Sequence, residues 1–112
     1  MNHFVGDDVD RIKIGKEDWV DIKSKMTYGD QQKVLASYAP ATITQGKPEL
    51  GLDFEGGNLT LLQINIKAWS FKDAENHIVE ITRPAIERLT IEVGTILAEE
   101  IAKRNPPPKA LR

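Results

Sequence analysis

The chain has 112 residues, 40% of them hydrophobic, which suits one small domain with a single core and is too little for two. Its 15 basic and 17 acidic residues nearly cancel, so the sequence lacks the positive field expected of a dedicated nucleic-acid binder. The absence of cysteine excludes disulfides and thiolate metal sites, and the sequence has neither a secretory signal nor a run of about 18 apolar residues that could span a bilayer.

The N-terminal part of the chain predicts a flexible arm followed by a β-hairpin. Residues 1–8 are mostly polar and form the expected arm. From Val9 to Ile22, apolar and polar residues alternate on both sides of a turn that contains Gly15, a pattern typical of an antiparallel hairpin. The hairpin opens a single globular domain that we expect to span residues 9–104.

A capping pattern predicts the first helix. In Thr27-Tyr28-Gly29-Asp30, the threonine hydroxyl can accept a hydrogen bond from a first-turn amide, and Asp30 lies near the positive end of the helix dipole. A helix should therefore cover residues 28–39, and Pro40 should end it because proline lacks an amide donor.

The middle of the chain is harder to interpret. Residues 40–57 contain so many prolines and glycines that we expect a mobile loop there. Residues 58–69 have apolar positions at helical spacing after Asn58, a potential cap, but their alternation would equally suit a strand. We favour a helix, because Leu61 extends the helical apolar face and the segment is longer than a typical strand.

Two helices are predicted near the C-terminus. Residues 72–81 are expected to form a turn or short extended connection, after which Thr82 and Pro84 begin a short helix. Thr90 can cap a new helix or continue the first, and the apolar stripe that starts at Ile86 predicts the best-defined helix of the chain. Residues 105–112 form a Pro-rich basic tail. The predicted fold is α+β and mainly α-helical, with a small N-terminal β-hairpin followed by three to four short helices.

No motif indicates catalysis, a cofactor or a metal ion. His3 and His77 are far apart in sequence, and neither has another ligand at metal-binding spacing. The serines lie outside any nucleophile elbow, and the glycines do not form a phosphate-binding loop. The cations of the last helical turn and tail are explained by helix capping and solubility, which makes nucleic acid an unlikely partner; they are Lys103, Arg104, Lys109 and Arg112. We therefore predict no catalytic residue and no enzymatic activity.

The apolar content points to a binding protein. Trp69 lies at a position that favours the core, whereas Trp19 could belong to the core or to a binding surface. Helices this short and few are not expected to enclose every leucine and isoleucine of the C-terminal half. Some apolar surface should therefore remain for a partner.

The order of several short motifs resembles the small tail assembly chaperones of long-tailed, siphovirus-like bacteriophages. The resemblance covers about residues 17–108, and the sequence departs from it at Glu75-Asn76-His77, where a glycine-containing turn is expected. The motifs are Trp19-Val20-x-Ile22, Met26-Thr27-Tyr28-Gly29-Asp30, Trp69-Ser70-Phe71-x-Asp73, Thr82-x-x-Ala85-Ile86-x-x-Leu89 and the closing Asn105-Pro106.

The resemblance implies a non-enzymatic factor of the host cytoplasm that binds the tape measure protein, keeps this long helical chain soluble and promotes assembly of the tail tube. A frameshifted longer form of the same chain, other tail proteins and further copies of the chain are the other implied partners. The alternative is a structural virion component, either a tail completion or a head-tail connector protein, that forms a ring.

We predict that hydrophobic side chains carry the partner contact, by burial worth roughly 25 cal/mol per Å². The expected contact residues are Trp19, Leu59, Leu62, Ile66, Ile96 and Ile101.

Overall fold

The computed structural model describes residues 3–39, 41–44, 47–50 and 52–106. Within these residues the fold is α+β, with an N-terminal antiparallel hairpin and four helices, as predicted. The elements are β1 Val9–Ile14, β2 Asp18–Lys23, α1 Tyr28–Tyr38, β3 Ala41–Thr44, β4 Lys47–Leu50, α2 Phe54–Asn65, β5 Ile66–Trp69, α3 Arg83–Glu87 and α4 Ile91–Arg104. The predicted arm is described from residue 3 onward and the tail as far as Pro106, so Lys109 and Arg112 lie outside the described residues.

A three-stranded antiparallel sheet forms one side of the core. The strand order is β1-β2-β5, with Ile12 opposite Val20 and Val20 opposite Trp69. Because side chains alternate across a strand, Val20 and Ile22 share the buried face and both are fully buried. The core joins this face to α2, α3 and α4, and its buried members are Ile12, Val20, Ile22, Leu62, Ile66, Trp69, Ile86, Leu97 and Ile101.

The first helix begins as predicted. The Thr27 hydroxyl accepts a hydrogen bond from the Asp30 amide at 3.0 Å, and the Asp30 carboxylate accepts one from the Thr27 amide at 3.1 Å. Lys23 donates to the same carboxylate at 2.6 Å. Burial raises the pKa of the Asp30 carboxyl, but the hydrogen bonds from Lys23 and Thr27 outweigh it and the pKa lies below its ordinary value. This cap joins β2 to the start of α1.

The predicted loop over residues 40–57 is wrong in the part that the structure describes. Ala41–Thr44 and Lys47–Leu50 pair as an antiparallel hairpin, and α2 begins at Phe54. Prolines and glycines shorten regular elements, but they still permit strands of four residues. Asp53 caps α2 by accepting from the Gly56 amide at 2.8 Å, so the helix begins before the expected cap at Asn58.

Residues 58–69 contain both of the elements that the sequence allowed. The segment is helical to Asn65, and from Ile66 it becomes β5. The preference for helix is therefore correct for the first part and wrong for the second. The strand forms because β2 offers hydrogen-bonding partners on the edge that faces away from β1, which is a contact that local periodicity does not encode.

The first of the two C-terminal helices begins at its expected cap, and the second begins at Thr90, one of the two alternatives that the sequence left open. Thr82 accepts a hydrogen bond from the Ala85 amide at 3.2 Å, with Pro84 in the first turn, and Thr90 accepts one from the Val93 amide at 3.2 Å. Thr90 therefore caps a new helix and does not continue α3. This break turns the chain between Leu89 and Ile91 and creates the surface described below.

The last turn of α4 is tied to the sheet. Arg104 Nε donates to Asp10 Oδ2 at 2.6 Å, across 94 positions of sequence, and Ser24 Oγ donates to the other oxygen of Asp10 at 3.0 Å. Asn105 Oδ1 accepts from the Met26 amide at 2.8 Å. The predicted role of Arg104 in helix capping thus includes an ion pair with β1.

We expect Asp10→Asn to reduce stability in a pH-dependent way. The hydrogen bond from Arg104, followed by that from Ser24, lowers the pKa of the Asp10 carboxyl in the folded chain. A lowered folded pKa gives a contribution that is complete above the unfolded pKa and is lost as the pH falls through the folded pKa. In urea unfolding, the stability difference between wild type and Asp10→Asn should therefore be largest near neutral pH and shrink in acid.

The matched control for this substitution is Asp7→Asn, which makes the same charge change at an exposed position of the arm. A difference between wild type and Asp10→Asn that stays constant from neutral to acid pH would contradict the ion pair with Arg104.

Candidate functional site

An open cavity of about 320 Å³ lies between the end of β5 and α3, and we call it the Trp69 cavity. Trp69 is one of its lining residues, although the side chain is only 3% exposed. Its Nε1 donates to the Val79 carbonyl at 2.7 Å, and the centres of the Trp69 and Phe71 rings are 5.3 Å apart. The other apolar lining residues are Ala74, Val79, Ala85 and Leu89. The polar lining residues are Lys72, Asp73 and Arg88.

A tight turn shapes one wall of the Trp69 cavity. Asp73 Oδ1 accepts from the amides of Glu75 at 2.9 Å and His77 at 3.0 Å. Asn76 adopts a φ of 67°, the left-handed conformation that asparagine tolerates better than most residues. Asparagine therefore occupies the left-handed position of the turn at the place where the resemblance leads one to expect a glycine.

A second open cavity, of about 370 Å³, lies between α2, α3 and the N-terminal part of α4 as far as Glu99, and we call it the α4 cavity. Its apolar lining comprises Leu62, Ile86, Leu89, Ile91, Gly94 and Ala98. Ile91 is 88% exposed, which is unusual for a side chain of this size. A Cβ atom built on Gly94 would meet no atom within 4 Å, so the glycine leaves the cavity open beside the helix.

The two cavities share Leu89, which lies in the short connection between α3 and α4. Lys72 and Arg88 lie at the Trp69 cavity, and Glu99 is the ionisable residue that lines the α4 cavity. All three of these charged residues are exposed. Apolar surface with a few charges at its margin can bury the hydrophobic side chains of a partner while keeping ionic groups in water.

The structure corrects the predicted contact surface at its buried positions. Ile66 is 4% exposed and Ile101 1% exposed, so both belong to the core and are unavailable as surface contacts in this fold. Leu62 is also nearly buried, at 8%, but its exposed remainder forms part of the α4 cavity. Only this member of the predicted set lies at either cavity.

The other three predicted contacts lie elsewhere. Leu59 is half-buried against the core, and Ile96 is 39% exposed on α4 outside the α4 cavity. Trp19 is half-buried, and the Arg11 guanidinium lies 3.7 Å from the centre of its ring. The Trp19 amide donates to Ser70 Oγ at 2.9 Å, which anchors the chain as it leaves β5. Partner binding by these three residues stays a prediction.

The predicted contact set did not include four residues that line the two cavities, namely Arg88, Leu89, Ile91 and Glu99. The C-terminal half was expected to leave some leucine and isoleucine side chains uncovered, and the exposed Ile91 is one of them. Its exposure could have been inferred from Thr90: a cap at that position places Ile91 in the first turn of a new helix, where the stripe of α3 does not continue.

The described residues contain no group of three or more histidine, aspartate or glutamate side chains able to hold a metal ion. None of the helices in that part of the chain is both long and apolar enough to cross a membrane. Comparisons of the chain with protein-family models, curated proteins and solved structures found no match.

Proposed function

We propose that this chain is a non-enzymatic tail assembly chaperone of a long-tailed bacteriophage. It binds the tape measure protein in the host cytoplasm, keeps that protein soluble and promotes assembly of the tail tube around it. The proposal combines the order of motifs along the sequence with the open apolar surface around α3.

The pair of cavities that share Leu89 carries the proposal. A long amphipathic helix presents apolar side chains about once per turn, every 5.4 Å. Until the helix is packed inside the tail tube, these exposed side chains make it prone to aggregate. Two adjacent apolar cavities can receive successive side chains of such a helix, in the manner of other helix-in-groove complexes. The exposed Ile91 adds apolar area at the rim.

Reversible binding is a requirement of this function. Each contact made by a small open surface contributes only about 25 cal/mol per Å² of apolar area removed from water. Many copies of a small chaperone can therefore cover a long chain, and each copy can still leave when the tail tube replaces it. Such a binding mode requires affinity spread over many weak sites and no chemical step.

The test is coexpression of the chain with the tape measure protein encoded nearest to it, followed by light scattering of the soluble fraction. We expect a complex of many copies on one long partner. Ile91→Ser removes an apolar side chain at the α4 cavity and should weaken each contact about 10-fold, leaving more partner insoluble. The matched control is Leu35→Ser on α1, where the side chain is 53% exposed and lines neither cavity.

Two results would contradict the proposal. One is a partner that remains insoluble with the wild-type chain. The other is a defined ring formed by the chain alone without the tape measure protein, which would instead favour the structural virion component.

A further inference from the structure

We infer that the surface around α3 binds its partner helix in one orientation, set by opposite charges at the two cavities. The occupant is an amphipathic helical segment that carries carboxylate side chains at one end of its apolar stripe and ammonium or guanidinium groups at the other. This inference rests on the proposed function and specifies which segments of a long helical chain would be bound.

The Trp69 cavity is the basic end. Lys72 and Arg88 are both exposed, and within the described residues neither side chain has a hydrogen bond or ion pair. Asp73, the carboxylate at this cavity, directs Oδ1 to the amides of Glu75 and His77 and forms no ion pair with Lys72 or Arg88 within the described residues. The cations therefore remain available for a carboxylate of the partner.

The α4 cavity is the acidic end. Glu99 is exposed there, no lysine or arginine lines the cavity within the described residues, and its carboxylate has no hydrogen bond to that part of the chain. Lys103 lies one turn along α4 and its charge interacts with that of Glu99, but its ammonium group donates to Glu100 at 2.9 Å and not to Glu99. Arg83, at the start of α3, is directed to Thr60 Oγ1 at 3.2 Å. Glu99 can therefore accept a cation from the partner.

Leu89 is common to the basic and the acidic end, because it lines both cavities. Arg88 lines the first of these cavities and Glu99 lines the second, so a helix that docks beside Leu89 and reaches both cavities has Arg88 towards one end and Glu99 towards the other. The reversed helix would place its carboxylates beside Glu99 and its cations beside Arg88, and like charges in contact disfavour that arrangement.

The experiment uses synthetic peptides and the full chain. The probe is a fluorescent amphipathic helix with a leucine stripe, glutamates in its first two turns and lysines in its last two; a peptide of the same composition with mixed charges is the comparison. By fluorescence anisotropy at low salt, the segregated peptide should bind about 3- to 10-fold more tightly than the mixed one. Salt should reduce this preference because it screens exposed charges.

Charge reversals in the chain provide the decisive comparison. Arg88→Glu and Glu99→Lys should each weaken binding of the segregated peptide about 3- to 10-fold. The double variant should restore binding because the peptide can then dock in the opposite direction. The matched controls are Lys16→Glu and Glu17→Lys, which make the same charge changes in the exposed turn between β1 and β2 and should leave binding unchanged.

Equal binding of the two peptides, no binding of either, or equal effects of the cavity and turn reversals would overturn the inference. None of these results bears on whether the wild-type chain keeps the tape measure protein soluble, so the two proposals fail separately. Sedimentation equilibrium covers a further outcome. The wild-type chain could self-associate, with each single reversal disrupting the association and the double variant restoring it. In that case the surface joins copies of this chain, and the inference is wrong.

Discussion

Replacing Leu97 with alanine is expected to lower the free energy of unfolding by about 3 to 4 kcal/mol. Leu97 is completely buried in the middle of α4, where it packs within the core cluster that includes the sheet residues Val20 and Ile22. The substitution removes apolar area from the core and leaves a cavity that surrounding side chains can only partly fill. Because small domains are stable by about 5 to 15 kcal/mol in total, this loss is a large fraction of the whole.

The effect of Leu97→Ala is best measured by urea unfolding followed through tryptophan fluorescence, since Trp69 lies in the same core cluster. Ile91→Ala is the matched control on the same helix: its side chain is 88% exposed, so its stability should change by less than about 0.5 kcal/mol. A loss below about 1 kcal/mol for Leu97→Ala would contradict the packing of α4 against the sheet.

Asn65→Asp is the second substitution with a large expected effect, a loss of about 3 kcal/mol at neutral pH. Asn65 is completely buried at the end of α2, where its Nδ2 donates to the Leu61 carbonyl at 2.9 Å. Its Oδ1 has no hydrogen-bond partner within the described residues. An ionised carboxylate of the same size would lose its hydration without gaining a donor, and it would also face the Leu61 carbonyl oxygen.

The loss caused by Asn65→Asp should depend on pH. Burial should raise the pKa of the new carboxyl in the folded chain above its value in the unfolded chain. Below the unfolded pKa both states hold the proton, and the protonated carboxyl can donate to the Leu61 carbonyl in place of Nδ2. As the pH rises above the unfolded pKa, the unfolded state releases its proton first, so stability falls until the folded pKa is reached.

The measurement is the free energy of unfolding of Asn65→Asp at several pH values from acid to neutral. Asn58→Asp makes the same chemical change on the exposed side of α2, where the oxygen accepts a hydrogen bond from the Tyr38 hydroxyl and a carboxylate can do the same. We expect a growing deficit with pH for Asn65→Asp and a small change for Asn58→Asp. A deficit that does not grow with pH would mean that water or a donor reaches position 65.

Local interactions made much of the fold predictable from sequence. The caps at Thr27, Thr82 and Thr90 bind amides three residues away, so the sequence alone contains both partners of each hydrogen bond. Alternation around Gly15 likewise predicts the first hairpin, because the turn brings its two strands together directly. The core position of Trp69 was also predicted from its apolar neighbours and is confirmed by its 3% exposure.

The contact surface was less predictable, because apolar periodicity indicates which face of a helix is buried and not what covers each residue. The same apolar spacing placed three residues in the predicted contact set, namely Leu62, Ile66 and Ile101. The core nevertheless covers Ile66 and Ile101 and leaves part of Leu62 exposed in the α4 cavity. The cap at Thr90 is a local signal. The cavities on either side of Leu89 form only because β5 with residues 71–79, and α2 with α4, pack beside this part of the chain.

The sequence by itself therefore determined the starts of α1 and α3, the first hairpin, the α+β class and the presence of surplus apolar surface. Tertiary structure alone decided that residues after Asn65 join the sheet, that Arg104 pairs with Asp10 and that the apolar surface opens around α3. The physical reason is the sequence separation of the groups that interact. A cap or turn is stabilised by groups a few residues apart, whereas a sheet edge, a long-range ion pair or a cavity exists only when distant segments meet.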